Sequence, residues 1–129
     1  MTQTYGPYSS SYTAHGFVYT AGQIGAINGN AAPDIKTQTM QALQNLKQVL
    51  EAAGTSLQNV VKTTVFLTDM NHFAAMNECY AQVFAAADCA PARSCVAVAE
   101  LPRVADKPLL IEIEAVATLS AVVKKKGPA

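Results

Sequence analysis

Charge is what this chain has least of. Only 14% of its 129 residues are Asp, Glu, Lys or Arg, where soluble domains run nearer ~25%. Nine basic residues balance nine acidic ones, so no net field draws nucleic acid or an anionic membrane. Tryptophan is absent, and the two histidines, His15 and His72, have no metal-ligand spacing. Three cysteines, Cys79, Cys89 and Cys95, cannot all pair with one another and form no C-x-x-C. They read as free thiols in a reducing compartment. No apolar run approaches the ~18 residues of a membrane helix. Met1-Thr2-Gln3-Thr4 shows no positive region leading into an apolar one. The expected location is cytoplasmic.

Half of the residues are hydrophobic. A small domain this apolar, without a membrane segment, is expected to hide surface against copies of itself. No repeat, linker or low-complexity block divides the chain, so residues 1–129 read as one domain. Lys124-Lys125-Lys126 and the residues around it read as a frayed tail over 121–129.

Tyr12 to Thr20 reads as two short strands around a His15-Gly16 turn. The stretch from Gly22 to Pro33, rich in Gly and Asn, reads as a loop. A helix then starts with Asp34 as N-cap. Its stripe is Ile35, Thr39, Ala42, Leu43, Leu46, Val49, Leu50 and Ala53, with Gly54 as the stop. Val60 to Thr68 is a β-branched strand. Asp69 or Asn71 caps a second helix to about Ala87, and strands follow at Arg93–Ala99 and Leu109–Leu119. The order β-β-α-β-α-β-β suggests one mixed sheet with both helices on one face. On the last strand Ile111, Ile113, Ala115, Ala117 and Leu119 suit the helix side. Leu110, Glu112, Glu114, Val116 and Thr118 point the other way. A polar site at a subunit contact follows as an expectation.

Arg93 stands alone in charge between Asp88 and Glu100. Its rigid fork suits a small carboxylate ligand, or a structural bridge to Glu112 or Glu114, and chemistry leaves both open. Each glutamate could neutralise Lys62, Arg93 or Arg103, or one could carry protons beside the arginine. Cys95 could be a thiolate, but a lone strand cysteine is more often a small hydrophobe. Tyr8 offers a phenol after a Gly6-Pro7 turn. Asn77 could bond a cap or a ligand, and Gly22 could let a ligand approach the backbone.

Several short motifs in order then carry a resemblance: Gly6-Pro7-Tyr8, Gly22-Gln23-Ile24, Glu51-Ala52-Ala53-Gly54 and Val61-Lys62-Thr63-Thr64-Val65-Phe66-Leu67. They continue with Met76-Asn77, Tyr80, Pro91-Ala92-Arg93-Ser94-Cys95-Val96, Leu101-Pro102 and Ile111-Glu112-Ile113-Glu114-Ala115. Over nearly its full length the chain resembles the RidA/YjgF group of reactive-intermediate deaminases. The resemblance implies a chorismate-mutase-like α+β fold and a homotrimer around a central β-barrel, with sites between subunits. It implies hydrolysis of 2-enamine/2-imine acids, such as 2-aminoacrylate and 2-iminobutanoate, to 2-keto acids and ammonia, without a cofactor. By that resemblance Arg93 clamps the substrate carboxylate and Glu112 orients water and moves protons. Cys95 contributes backbone contacts, Tyr8 and Asn77 line the cleft, and Gly22 approaches from the backbone. Ala21 replaces the family's common serine, Ala90 replaces a frequent aromatic, and Arg103 to Pro108 is about four residues longer than usual. Two other readings remain: an endoribonuclease or translation inhibitor, and a non-catalytic, keto-acid-binding or chaperone-like trimer. The missing basic-aromatic strip argues against RNA.

Overall fold

The structure, a computed structural model, describes residues 4–84, 90–120 and 127–128. Most of the tail over 121–129 and the expected helix end at Ala87 therefore lie outside the described residues. The first unit is a hairpin of β1 (Ser11–Ala14) and β2 (Phe17–Thr20). His15 and Gly16 turn it at φ 52° and 79°, the left-handed pair that a two-residue primed turn requires.

The expected loop from Gly22 to Pro33 is more ordered than its composition suggests. It carries three two-residue strands: β3 (Gln23–Ile24), β4 (Ala26–Ile27) and β5 (Asn30–Ala31). Strands this short cannot display alternation, so nothing in the sequence betrays them.

Helix α1 (Ile35–Ala52) is held at its start by Asp34, whose carboxylate accepts from the Thr37 N–H and hydroxyl, each at 2.9 Å. The helix gives way to Gly54 at φ 88°, the left-handed C-terminal stop. Its stripe is buried from Thr39 to Leu50 and partly buried at Ile35 and Ala53, and Gln38, which spacing leaves outside the stripe, is buried with it. Gln38 donates to the Ala32 carbonyl at 2.7 Å and the Pro108 carbonyl at 3.1 Å, and accepts from the Leu110 N–H at 2.8 Å. Its amide satisfies backbone groups of two loops that would otherwise be stranded.

Strand β6 (Val60–Leu67) leads to Asp69, which caps a single 3-10 turn, Met70–His72. Helix α2 (Phe73–Val83) begins only after that turn. Strands β7 (Ala92–Ala97) and β8 (Ile111–Thr118) complete the fold, each slightly shorter than expected. The sheet runs β1-β2-β8-β6-β7, with β3 also on β8. Only β6 and β7 are parallel among these pairs. One core unites Leu43, Leu46 and Leu50 of α1 and Met76 and Tyr80 of α2 with Val65, Ile111 and Ile113 of the sheet. Both helices therefore cover one face, and the fold is the α+β arrangement of a mixed sheet and two helices.

Parity on β8 holds for Ile111, Ile113, Ala115 and Ala117, all buried. It fails at the end, where Leu119 lies beyond the strand and is exposed while Thr118 is buried. The helix-free face leaves Tyr12 70%, Tyr19 48% and Val96 44% exposed. That is a large apolar surface for a chain of this size.

Candidate functional site

The sheet register separates the two residues that the sequence pairs most naturally. Thr63 on β6 lies beside Arg93 on β7, and Phe66 lies between Val96 and Glu112. Thr63 is fully buried under the helices. Arg93 shares its row and projects to the helix side, while Glu112 shares the row of Phe66 and projects to the other. Arg93 and Glu112 thus stand on opposite faces of one sheet. Among the described residues the one ion pair is Lys36–Glu78, at 2.7 Å between exposed side chains. A structural bridge from Arg93 to either glutamate within the chain is ruled out.

The Arg93 half of the site is built by α2. Nη1 donates to Asn77 Oδ1 at 2.7 Å and lies 3.9 Å from Met76 Sδ. The guanidinium carbon sits 4.8 Å from the Tyr80 ring centroid and 5.6 Å from that of Phe73, within cation–π range of both. Two rings and one amide support a half-buried cation, and among the described residues no carboxylate pairs with it. Such a cation remains an anion receptor.

Cys95 follows on the same face and packs against the core. Burial pushes its thiol up, with the Arg93 charge only partly opposing. A thiol held protonated is a poor nucleophile. Its backbone is better placed than its sulfur. The Val98 N–H donates to the Leu67 carbonyl at 2.8 Å, so alternate β7 residues aim their backbone groups at β6. By the same alternation Arg93 and Cys95 aim theirs at the open edge of the sheet, where β7 is the terminal strand.

The Glu112 half lies in a cleft of about 350 Å³ that Tyr8, Gly22, Ile24, Arg103 and Val104 also line. Burial first, and the charge of Glu114 second, push the Glu112 carboxyl above the usual carboxylate range. Gly22 makes room for it. A Cβ there would overlap the carboxylate, coming within 2.6 Å of Cδ and 2.8 Å of Cγ. Gly22 lies between β2 and β3. Tyr8 is half-exposed at the mouth, its hydroxyl accepting from the Tyr5 N–H at 3.1 Å. Ala21 supplies only backbone, its N–H bonded to the Ser10 carbonyl.

The expected site residues therefore fall into two groups: Arg93, Asn77 and Cys95 on one face, and Glu112, Gly22 and Tyr8 on the other. Helical spacing makes Phe73 and Tyr80 core residues of the second helix, and nothing in the sequence assigns Thr63 a place at the site. All three surround the arginine. A hint was available in the pairing of an uncompensated strand arginine with an aromatic-rich helix. Among the described residues, no group of three His, Cys, Asp or Glu side chains could hold a metal.

The family model described as Endoribonuclease L-PSP matches residues 2–119. The chain belongs to the RidA/YjgF family. Among curated proteins, the RutC family protein slr0709 of Synechocystis is 50% identical over 88% of this chain and 87% of that protein. The 2-iminobutanoate/2-iminopropanoate deaminase of Salmonella typhimurium is 44% identical over 87% of each. Escherichia coli TdcF, solved with bound serine, superposes with a TM-score of 0.83 at 39% identity, covering 92% of this chain and 93% of that one. As a RidA/YjgF member, the chain belongs with reactive-intermediate deaminases and with proteins described as endoribonucleases.

Proposed function

We propose that this protein hydrolyses 2-enamine and 2-imine acids, 2-aminoacrylate and 2-iminobutanoate among them, to 2-keto acids and ammonia. The active unit is a homotrimer whose helix-free faces close a central barrel. Each site lies between two copies, with Arg93, Asn77 and the Cys95 backbone from one and Glu112, Gly22 and Tyr8 from the next. The carrying observation is a supported but un-neutralised guanidinium on one face and a desolvated carboxyl on the other. Among the described residues neither charge has its counterpart within the chain. The kinship with a named imine deaminase, and with a relative that binds the small carboxylate serine, favours a 2-amino-acid-like substrate.

In this reading the Arg93 fork grips the substrate carboxylate and fixes C2. A protonated imine is already electrophilic. Glu112, as carboxylate, takes a proton from water as its oxygen bonds to C2, giving a carbinolamine. The same carboxyl returns that proton to the nitrogen, and as the C–N bond breaks the hydroxyl proton passes to the Glu112 carboxylate, so that ammonia leaves and the ketone forms. For an enamine, protonation at C3 must come first, and a carboxyl with a raised pKa keeps the needed proton available nearer neutral pH.

The direct test couples a threonine or serine dehydratase to this protein and follows keto-acid release. Acceleration that Arg93→Ala abolishes is expected. No acceleration by the wild-type chain, or full activity in Arg93→Ala, would sink the reading. The family model's description favours ribonuclease activity as a second reading. That reading requires RNA cleavage that follows the pure protein and weakens steeply with salt.

A further inference from the structure

Arg93 is supported from the side by a residue that is itself locked. Tyr80 Oη and Thr63 Oγ1 lie 2.7 Å apart, both residues buried, in a hydrogen bond that either can donate. The Tyr80 ring packs on Phe84 with centroids 4.7 Å apart and planes 39° apart. Its face lies under the Arg93 guanidinium. Thr63 is also the register neighbour of Arg93 across β6 and β7. A closed circuit results: register pairing of Arg93 with Thr63, hydroxyl to Tyr80, ring face back to Arg93.

The circuit has a physical purpose that core packing alone does not explain. A phenylalanine would fill the same volume, and Thr63 sits where valine would pack as well. Burying two hydroxyls is justified only if they satisfy each other. What the pair adds is orientation. With its hydroxyl fixed to the sheet, the ring cannot pivot, and the guanidinium above it keeps one plane. Asn77 then fixes Nη1 within that plane. The remaining donors of the fork hold their direction before any ligand arrives.

We propose that the Thr63–Tyr80 hydroxyl pair is a positioning device that pre-orients Arg93 for carboxylate binding. Neither residue touches the ligand; both act through the arginine. The inference rests on Arg93 being the carboxylate receptor of the proposed function, and it adds residues that the functional reading does not use.

The test compares Tyr80→Phe, Thr63→Val and the double variant in the dehydratase-coupled assay, with Arg93→Lys as the reference for a lost fork. Each single variant should raise KM about three- to tenfold, a hydrogen bond's usual net worth, with kcat at saturation unchanged. The double variant should match the singles, because both remove the same bond. A merely structural role would lower kcat through loss of active protein and leave KM where it was. That result, or additive effects of the two substitutions, would overturn the proposal. Should the wild-type chain bind carboxylates without turnover, the deaminase reading fails alone. The same variants are then read on the Kd for 2-ketobutyrate, with the same pattern expected. Wild-type affinity in Tyr80→Phe, or no binding by the wild-type chain at all, would overturn the positioning role.

Discussion

At Glu112 a single carboxyl carries both a liability and a candidate function. Its pKa is raised by burial and by Glu114, so the folded state binds its proton more tightly than the unfolded chain does. Stability from that proton is present below the ordinary value of 4.5 and lost as pH rises through the higher folded value. Glu112→Gln should therefore melt above the wild type at neutral pH, the difference vanishing in acid. Thermal melts across that range check it; equal melting temperatures at pH 7 would mean the carboxyl is not desolvated. Activity should fall in the same variant, because an amide cannot carry the proton. Gly22 fails in the opposite sense. Gly22→Ala places a methyl on the carboxylate, and a displaced group of this kind costs roughly a hundredfold in rate. The coupled assay should show kcat falling while binding of 2-ketobutyrate at Arg93 is far less affected.

Among the elements, the turn between Arg103 and Pro108 is the least natural for its residues. Ala105 and Asp106 sit at φ 50° and 60°, and the Lys107 N–H donates to the Val104 carbonyl at 2.9 Å. This is a primed turn without the Asn-Gly that such turns prefer. Val104 and Leu109 on either side pack with Ile24 and Ala26 in a second small core, which holds the turn in place despite its strain. Ala105→Asn with Asp106→Gly should stabilise the protein by about 1–2 kcal/mol, read as a higher melting temperature. A lower one would show that the turn's flanks, and not its conformation, limit stability. The same element explains a limit of sequence reading. The extra length of 103–108 was visible, but its return over the Glu112 cleft depends on contacts with Ile24 and Ala26 that are distant in sequence.

On the scale of the whole molecule, opposite faces of one sheet make a sharp prediction about assembly. If each site draws Arg93 from one copy and Glu112 from the next, two inactive variants can complement each other. Arg93→Ala and Glu112→Gln chains, unfolded together and refolded as a mixture, should regain about a quarter of wild-type activity by random assortment in a cyclic trimer. Either variant refolded alone should stay inactive. A mixture with no activity above its components would place both residues' roles within a single chain and contradict the shared site.

Local chemistry was enough to read much of this from the residues alone. The α1 stripe from Ile35 to Ala53, its Asp34 cap and Gly54 stop depend on neighbours three or four positions apart, as does the His15-Gly16 turn. Alternation on the last strand was also legible, and it turned Glu112 away from the helices. Register was not. Whether Arg93 faces the helices or the opposite side depends on which β6 residue stands beside it, and one step of slip would reverse the answer. The pairing of Thr63 with Arg93, the cradle of Tyr80, Phe73 and Asn77, and the buried Gln38 all arise from contacts between elements. Arg93 and Glu112 are complementary in chemistry but not neighbours within one chain. Their residue types and parity come from the chain, but their separation onto two faces comes from strand pairing, because a sheet sorts side chains by register and not by charge.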